Sequence, residues 1–146
     1  MRPLSLILLL SCVFALASTA YAREIELKEG DCWSYNTRPG EESSFIVIRK
    51  IEHFPKAGEI VHISIYGVKL KNPAIGGFSD SIGHMPIAGD NLRKSLKQKL
   101  DRKPPDSDWE PGYRSWLKAK GGVYALPVRD CVKSVEIMLG GRRGKS

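Results

Sequence analysis

The sequence predicts an α+β domain: a small antiparallel sheet of three to five strands, with about three helices from the C-terminal half packed on it. Three observations carry that prediction. Side chains alternate between apolar and polar through most of residues 31–70. A four-residue repeat, Leu92, Leu96 and Leu100, begins just after Asp90. Aromatic and aliphatic residues then recur at helical spacing as far as Leu139.

Asp31-Cys32-Trp33-Ser34-Tyr35 reads as a first strand, with Cys32 and Ser34 on one side and Trp33 and Tyr35 on the other. Thr37-Arg38-Pro39-Gly40 supplies a turn, because proline presets φ and glycine tolerates the positive φ that closes it. Ser44 to Ile51 is β-branched and apolar. Strict alternation there places Phe45, Val47, Arg49 and Ile51 on one side, with Ile46 and Ile48 on the other. A second turn spans Phe54-Pro55-Lys56-Ala57-Gly58. Ile60 to Leu70 is the clearest strand, with Val61, Ile63 and Ile65 opposite His62, Ser64 and Tyr66. Asn72 to Gly89 begins as a loop and contains a fourth strand from Ser81 to Ile87. Asp90 then caps a helix carrying the three leucines, which Lys103-Pro104-Pro105 ends because proline cannot continue the backbone ladder. Ser107 or Asp108 caps a second helix with the stripe Trp109, Tyr113, Trp116 and Leu117, closed by Gly121-Gly122. The spacing of that stripe predicts core packing. Val123 to Leu126 is a short strand. A third helix starts near Pro127, with Val128, Cys131, Val132, Val135, Met138 and Leu139 on one face.

The extreme N-terminus has a different character. Arg2, the apolar run Leu4 to Ala17 and the small-residue exit Ala20-Tyr21-Ala22 make up a secretory leader over residues 1–22, with cleavage near Ala22. The run falls short of the roughly 20 residues that span a bilayer, so no stable membrane insertion is expected. The mature chain is then one domain over 23–139, followed by a disordered basic tail over 140–146. Its destination is periplasmic or secreted. Of the formal net charge of +7, much lies in Arg142, Arg143 and Lys145 of that glycine-rich tail. An exported chain meets little nucleic acid. The basic balance therefore points to an acidic protein partner, an anionic envelope polymer or lipid headgroups.

Loss of the leader removes Cys12 and leaves Cys32 and Cys131. In an oxidising compartment two cysteines are expected to pair. Closing a loop of about 100 residues would stabilise the fold by roughly 4–5 kcal/mol in the chain-entropy account.

Chemistry-bearing residues are few. His53, His62 and His84 lack the close spacings of a zinc site, so neither metal nor cofactor is expected. The stretch from Gly76 to Pro86 gathers Ser79, Asp80, Ser81 and His84, the residue types of a nucleophile, an orienting carboxylate and a base. It has no nucleophile-elbow pattern, and a turn in which Asp and Ser bond nearby backbone is the simpler reading. Glu41-Glu42 beside Arg38 reads as a solvated turn, since neighbouring side chains in a hairpin point apart. Gly121-Gly122 and Gly140-Gly141 lack the lysine and hydroxyl of a phosphate loop. The segment after Asn91 carries Arg93, Lys94, Lys97, Lys99, Arg102 and Lys103 against Asp101, a cationic face that is solvated or receives an acidic partner.

The runs Gly30-Asp31-Cys32-Trp33-Ser34-Tyr35, Thr37-Arg38-Pro39-Gly40-Glu41-Glu42, Val61-His62-Ile63-Ser64, Lys71-Asn72-Pro73 and Ile82-Gly83-His84-Met85-Pro86 resemble a group of small uncharacterised bacterial proteins across most of residues 30–138. The resemblance implies a bacterial α+β domain and transfers no catalytic residue. In similar proteins without a leader the two cysteine positions look apolar. An exported version that gained a bridge would differ in this way.

These readings converge on an exported binding protein without catalytic activity, of the kind that neutralises a toxin or hydrolase as an immunity or inhibitor protein. Two others remain: a small envelope hydrolase using His84, Asp80 and a nearby serine, and a binder of anionic polymer through Lys94, Lys97 and Lys99.

Overall fold

A computed structural model describes residues 24–141. The expected leader, and the tail from residue 142 onward, lie outside the described residues. Five strands and three helices succeed one another: β1 (Cys32–Tyr35), β2 (Phe45–Phe54), β3 (Gly58–Asn72), a 3-10 turn (Pro73–Ile75), β4 (Gly77–Ala88), α1 (Gly89–Ser95), β5 (Leu96–Leu100), α2 (Glu110–Ala119) and α3 (Val128–Gly141). The strands form one sheet in the order β4-β3-β2-β1-β5, with every pairing antiparallel. The α+β architecture is the one the sequence predicts. No helix among the described residues is long and apolar enough to cross a membrane.

Period-two alternation sorts the sheet's two faces. Trp33, Tyr35, Ile46, Ile48, Val61, Ile63, Ile65, Met85 and Ile87 pack on one side with Leu92 of α1 and with Val128, Cys131 and Val132 of α3. The other side holds a small cluster of Cys32, Phe45 and Val47, and then becomes polar. Two register shifts decide the site's geometry. One lies between Ile48 and Lys50, where an extra residue on β2 turns Ile51 toward the main core and leaves Lys50 and Glu52 on the polar side. Strict alternation places Ile51 with Phe45 and Val47 instead, and the bulge is what overturns it. The other shift falls where Ile63 faces Met85 but Ile65 faces Ile82, so β4 carries a bulge at Gly83-His84. Ser64 Oγ closes that bulge by donating to the Gly83 carbonyl at 2.7 Å.

Several expectations change. The helix expected from Asp90 to Lys103 stops at Ser95, and Leu96–Leu100 becomes an edge strand paired with β1, Tyr35 opposite Leu96 and Cys32 opposite Leu100. The unpaired groups of β1 gain a ladder there that outweighs helix propensity, and the exposed Lys97 and Lys99 discourage further strands from adding to the edge. The 72–77 loop tightens into the tip of a long β3–β4 hairpin. Val123 to Leu126 yields one parallel bridge, Tyr124 to Ile87, in place of a strand.

A further change concerns the cysteines. Cys32 and Cys131 are free and buried rather than bridged. Alternation puts Cys32 on the face away from Trp33 and Tyr35, whereas Cys131 enters the main core from α3. The sheet itself separates the two sulfurs. α3 also runs through Gly140 and Gly141, past the expected start of the tail, and its Met138 is exposed rather than packed.

The turn read as solvated is half-solvated. Glu41 is only 3% exposed, pairs with Arg38 and accepts the Lys69 amide at 2.7 Å, while Glu42 faces solvent. Arg38 also reaches Glu136 of α3 at 2.7 Å. Burial alone would raise the Glu41 carboxyl, but the Arg38 guanidinium and the Lys69 amide overcome it and hold its pKa below the usual range. The ion pairs fasten the β1–β2 connection to the last helix.

Candidate functional site

The polar face of the sheet gathers the chain's most unusual chemistry. β3 alternation points His62 away from the core, and the β4 bulge points His84 at it. The two imidazoles lie nearly parallel, at 14°, with His62 Nδ1 and His84 Nε2 2.9 Å apart. Glu52, delivered by the β2 shift, accepts from His62 Nε2 at 3.0 Å and from the Tyr113 hydroxyl of α2 at 2.8 Å. The result is a continuous chain, Tyr113–Glu52–His62–His84, linking α2 to three strands.

Donor and acceptor chemistry sets the tautomers. An ionised carboxylate only accepts, so His62 carries its proton on Nε2 and offers Nδ1 as acceptor. His84 must then donate from Nε2, which leaves its Nδ1 as the basic nitrogen. That nitrogen lies under α2, beside Gly112. A Cβ at Gly112 would stand 2.8 Å from the Cβ of His84, so only glycine lets the helix come this close. Tyr113 and Trp116 seal the pair edge-on, with ring centroids 4.8 Å from that of His62.

Burial dominates the titration of these groups. It lowers the His62 pKa against the opposing pull of Glu52. It also lowers His84 to about 4, with the neighbouring His62 charge adding to the effect. Burial and the Glu52 hydrogen bond push Tyr113 up to about 12. At neutral pH the two imidazoles are uncharged and the phenol is protonated. Lys50 stands guard, its Nζ 4.0 Å from Glu52 and 5.6 Å from the Tyr113 ring centroid.

The residues nominated for hydrolysis are not gathered into one arrangement. His84 bonds His62. Asp80 is exposed, Ser81 pairs in the β3–β4 ladder opposite Tyr66, and Ser79 accepts from Asn72 at 2.9 Å. The stripe read as core on α2 buries none of its residues completely and roofs the polar face instead.

The nominated cations divide. Arg93 is committed to Glu59 and to the Ile25 carbonyl, and Lys99 to Asp31 at 2.8 Å. Lys94 and Lys97 are exposed and make no ion pair among the described residues. Lys97 of β5 and Arg129 of the first turn of α3 both line a cleft of about 410 Å³. Asn36, Thr37 and Glu42 line the same cleft, and the Glu42 carboxylate accepts the Gly40 amide at 2.8 Å. Arg129 is likewise exposed and without an ion pair among the described residues.

Sequence reasoning misses Glu52, Gly112 and Arg129, and it reads Tyr113 as a core residue rather than as the phenol that ends the chain. Alternation does place His62 on the polar face, but its partners depend on two bulges, which leave no period to read. Gly112 is the legible signal: a glycine inside a helical pattern marks a close approach. Comparison of the chain with family models, with curated proteins and with solved structures returns no match in any of the three.

Proposed function

We propose that this chain is an exported binding protein without a catalytic centre, receiving an acidic protein partner in the compartment it reaches, as an immunity or inhibitor protein facing a toxin or hydrolase does. The observation that carries this reading is the convergence of Lys97 and Arg129, two unpaired cations from different elements, on one open cleft. Such a pair steers an anionic surface in and fixes its register. The imidazole chain supports the same reading from the other side. Tyr113, Glu52 and His62 bond one another within the fold, under a helix, and neither Asp80 nor Ser81 is bonded to the chain.

The test is reciprocal capture. Wild-type protein used as bait in a periplasmic extract should retain one acidic protein at 1:1 stoichiometry. The double variant Lys97→Glu, Arg129→Glu should retain at least tenfold less of it. Retention of an acidic polysaccharide instead would move the assignment to an envelope-polymer binder. Failure to hold any partner across several growth conditions, or retention indifferent to charge reversal, would sink the reading.

A further inference from the structure

The β2–β3 turn and the C-terminal half of α2 enclose a groove of about 560 Å³, a size usual for small-molecule sites. It shares no lining residue with the Lys97–Arg129 cleft. Buried Ile60 lies at its base, Phe54 and Trp116 meet edge-to-face at 6.3 Å in its lining, and Leu117 is a wall left 45% exposed. The Trp116 wall is built in advance. Its Nε1 donates to the Gly122 carbonyl at 2.9 Å, and a Cβ at Gly121 would collide with the indole ring. Two charged side chains line this apolar groove, Lys56 from the turn and Lys120 from the end of α2, and no carboxylate does. Neither lysine makes an ion pair among the described residues. Lys120 is held there by the backbone, in the left-handed region at φ 48°, with its amide closing α2 on the Leu117 carbonyl.

We propose that this groove binds a single-chain amphiphilic anion, with an acyl chain against Phe54, Ile60, Trp116 and Leu117 and a carboxylate between Lys56 and Lys120. A chain without the charge would leave both cations unanswered. A cationic headgroup would be repelled by them. This inference stands apart from the partner reading, since it uses different residues and a different chemistry.

Dodecanoate, dodecanol and dodecyltrimethylammonium, each kept below its micellar concentration, would be titrated into the protein. Binding would be followed by tryptophan emission and by the shift in melting temperature. Dodecanoate should bind saturably and at least tenfold more tightly than the cationic analogue. Lys56→Glu with Lys120→Glu should erase that preference. Leu117→Asp, an exposed position whose change spares the core, should reduce dodecanoate affinity at least tenfold while leaving the circular dichroism spectrum unchanged. Equal affinity for anion and cation, absence of saturation, or indifference to Leu117→Asp would each overturn the proposal. Loss of a captured protein partner on Leu117→Asp, with no dodecanoate binding, would also overturn it by assigning the groove to a protein.

Discussion

His84 shows how one bulge sets the behaviour of a side chain. Without the extra residue at Gly83-His84, alternation would not deliver this imidazole onto His62, and Glu52 would terminate its chain at a single ring. Because burial depresses both imidazole pKa values, the sign of their linkage is fixed. In the unfolded chain they titrate near 6.5, whereas His84 in the fold waits until about 4. As pH falls through this window, the unfolded state takes up protons that the folded state refuses, so stability drops; above 6.5 the contribution is fully present. For His84 this amounts to on the order of 2 kcal/mol, after allowance for its partial exposure. Denaturant titrations between pH 6.5 and 5 should record the decline, and His62→Gln with His84→Gln should flatten it. A flat wild-type profile would mean that the folded imidazoles take up protons as readily as those of the unfolded chain, and that burial does not depress them. The buried carboxylate Glu41, with its depressed pKa, contributes below that window and does not confuse the measurement.

At the scale of elements, α2 is the helix that docks on the polar face, through one hydrogen bond to Glu52 and through aromatic contacts with His62 and Phe54. It touches the sheet through Tyr113, Trp116 and the space left by Gly112. Gly112→Ala gains about 1 kcal/mol in helix propensity but drives a methyl into His84, a clash that costs roughly 1–3 kcal/mol. A net loss of up to about 2 kcal/mol is expected, read by thermal unfolding together with a change in near-ultraviolet dichroism as the aromatic cluster loosens. An unchanged near-ultraviolet spectrum would count against the close approach. The same element shows where sequence is legible and where it is not. The stripe locates α2, and alternation locates β3, because both periods persist over many residues. The face that α2 covers cannot be read, since aromatic spacing is the same over a core and over a polar network. The expected length of α1 is too great for a related reason. Leu92 and Leu96 fit a helical repeat, yet Leu96 is also the first inward residue of an edge strand, and the open edge of β1 decides between them. Glu41 reads as solvated for want of any local sign that Glu136, far along the chain, brings α3 to Arg38.

Across the whole molecule, the sheet acts as a partition. Its main core, closed by α1 and α3, is the packed side, and the side under α2 holds the hydrogen-bonded imidazoles. Each face keeps one thiol, and burial raises the pKa of both, so neither is inclined to form the reactive thiolate. Alkylating reagent applied in denaturant, with no reductant present, should label both positions. In native buffer it should label neither, and added dithiothreitol should leave the melting temperature unmoved; a single unlabelled pair in denaturant would restore the covalent tie. A sheet that keeps its sulfurs apart yields a fold indifferent to the redox state of its surroundings. Such a polypeptide can reach its native shape in a reducing or an oxidising space alike, and needs no thiol oxidase or isomerase as midwife.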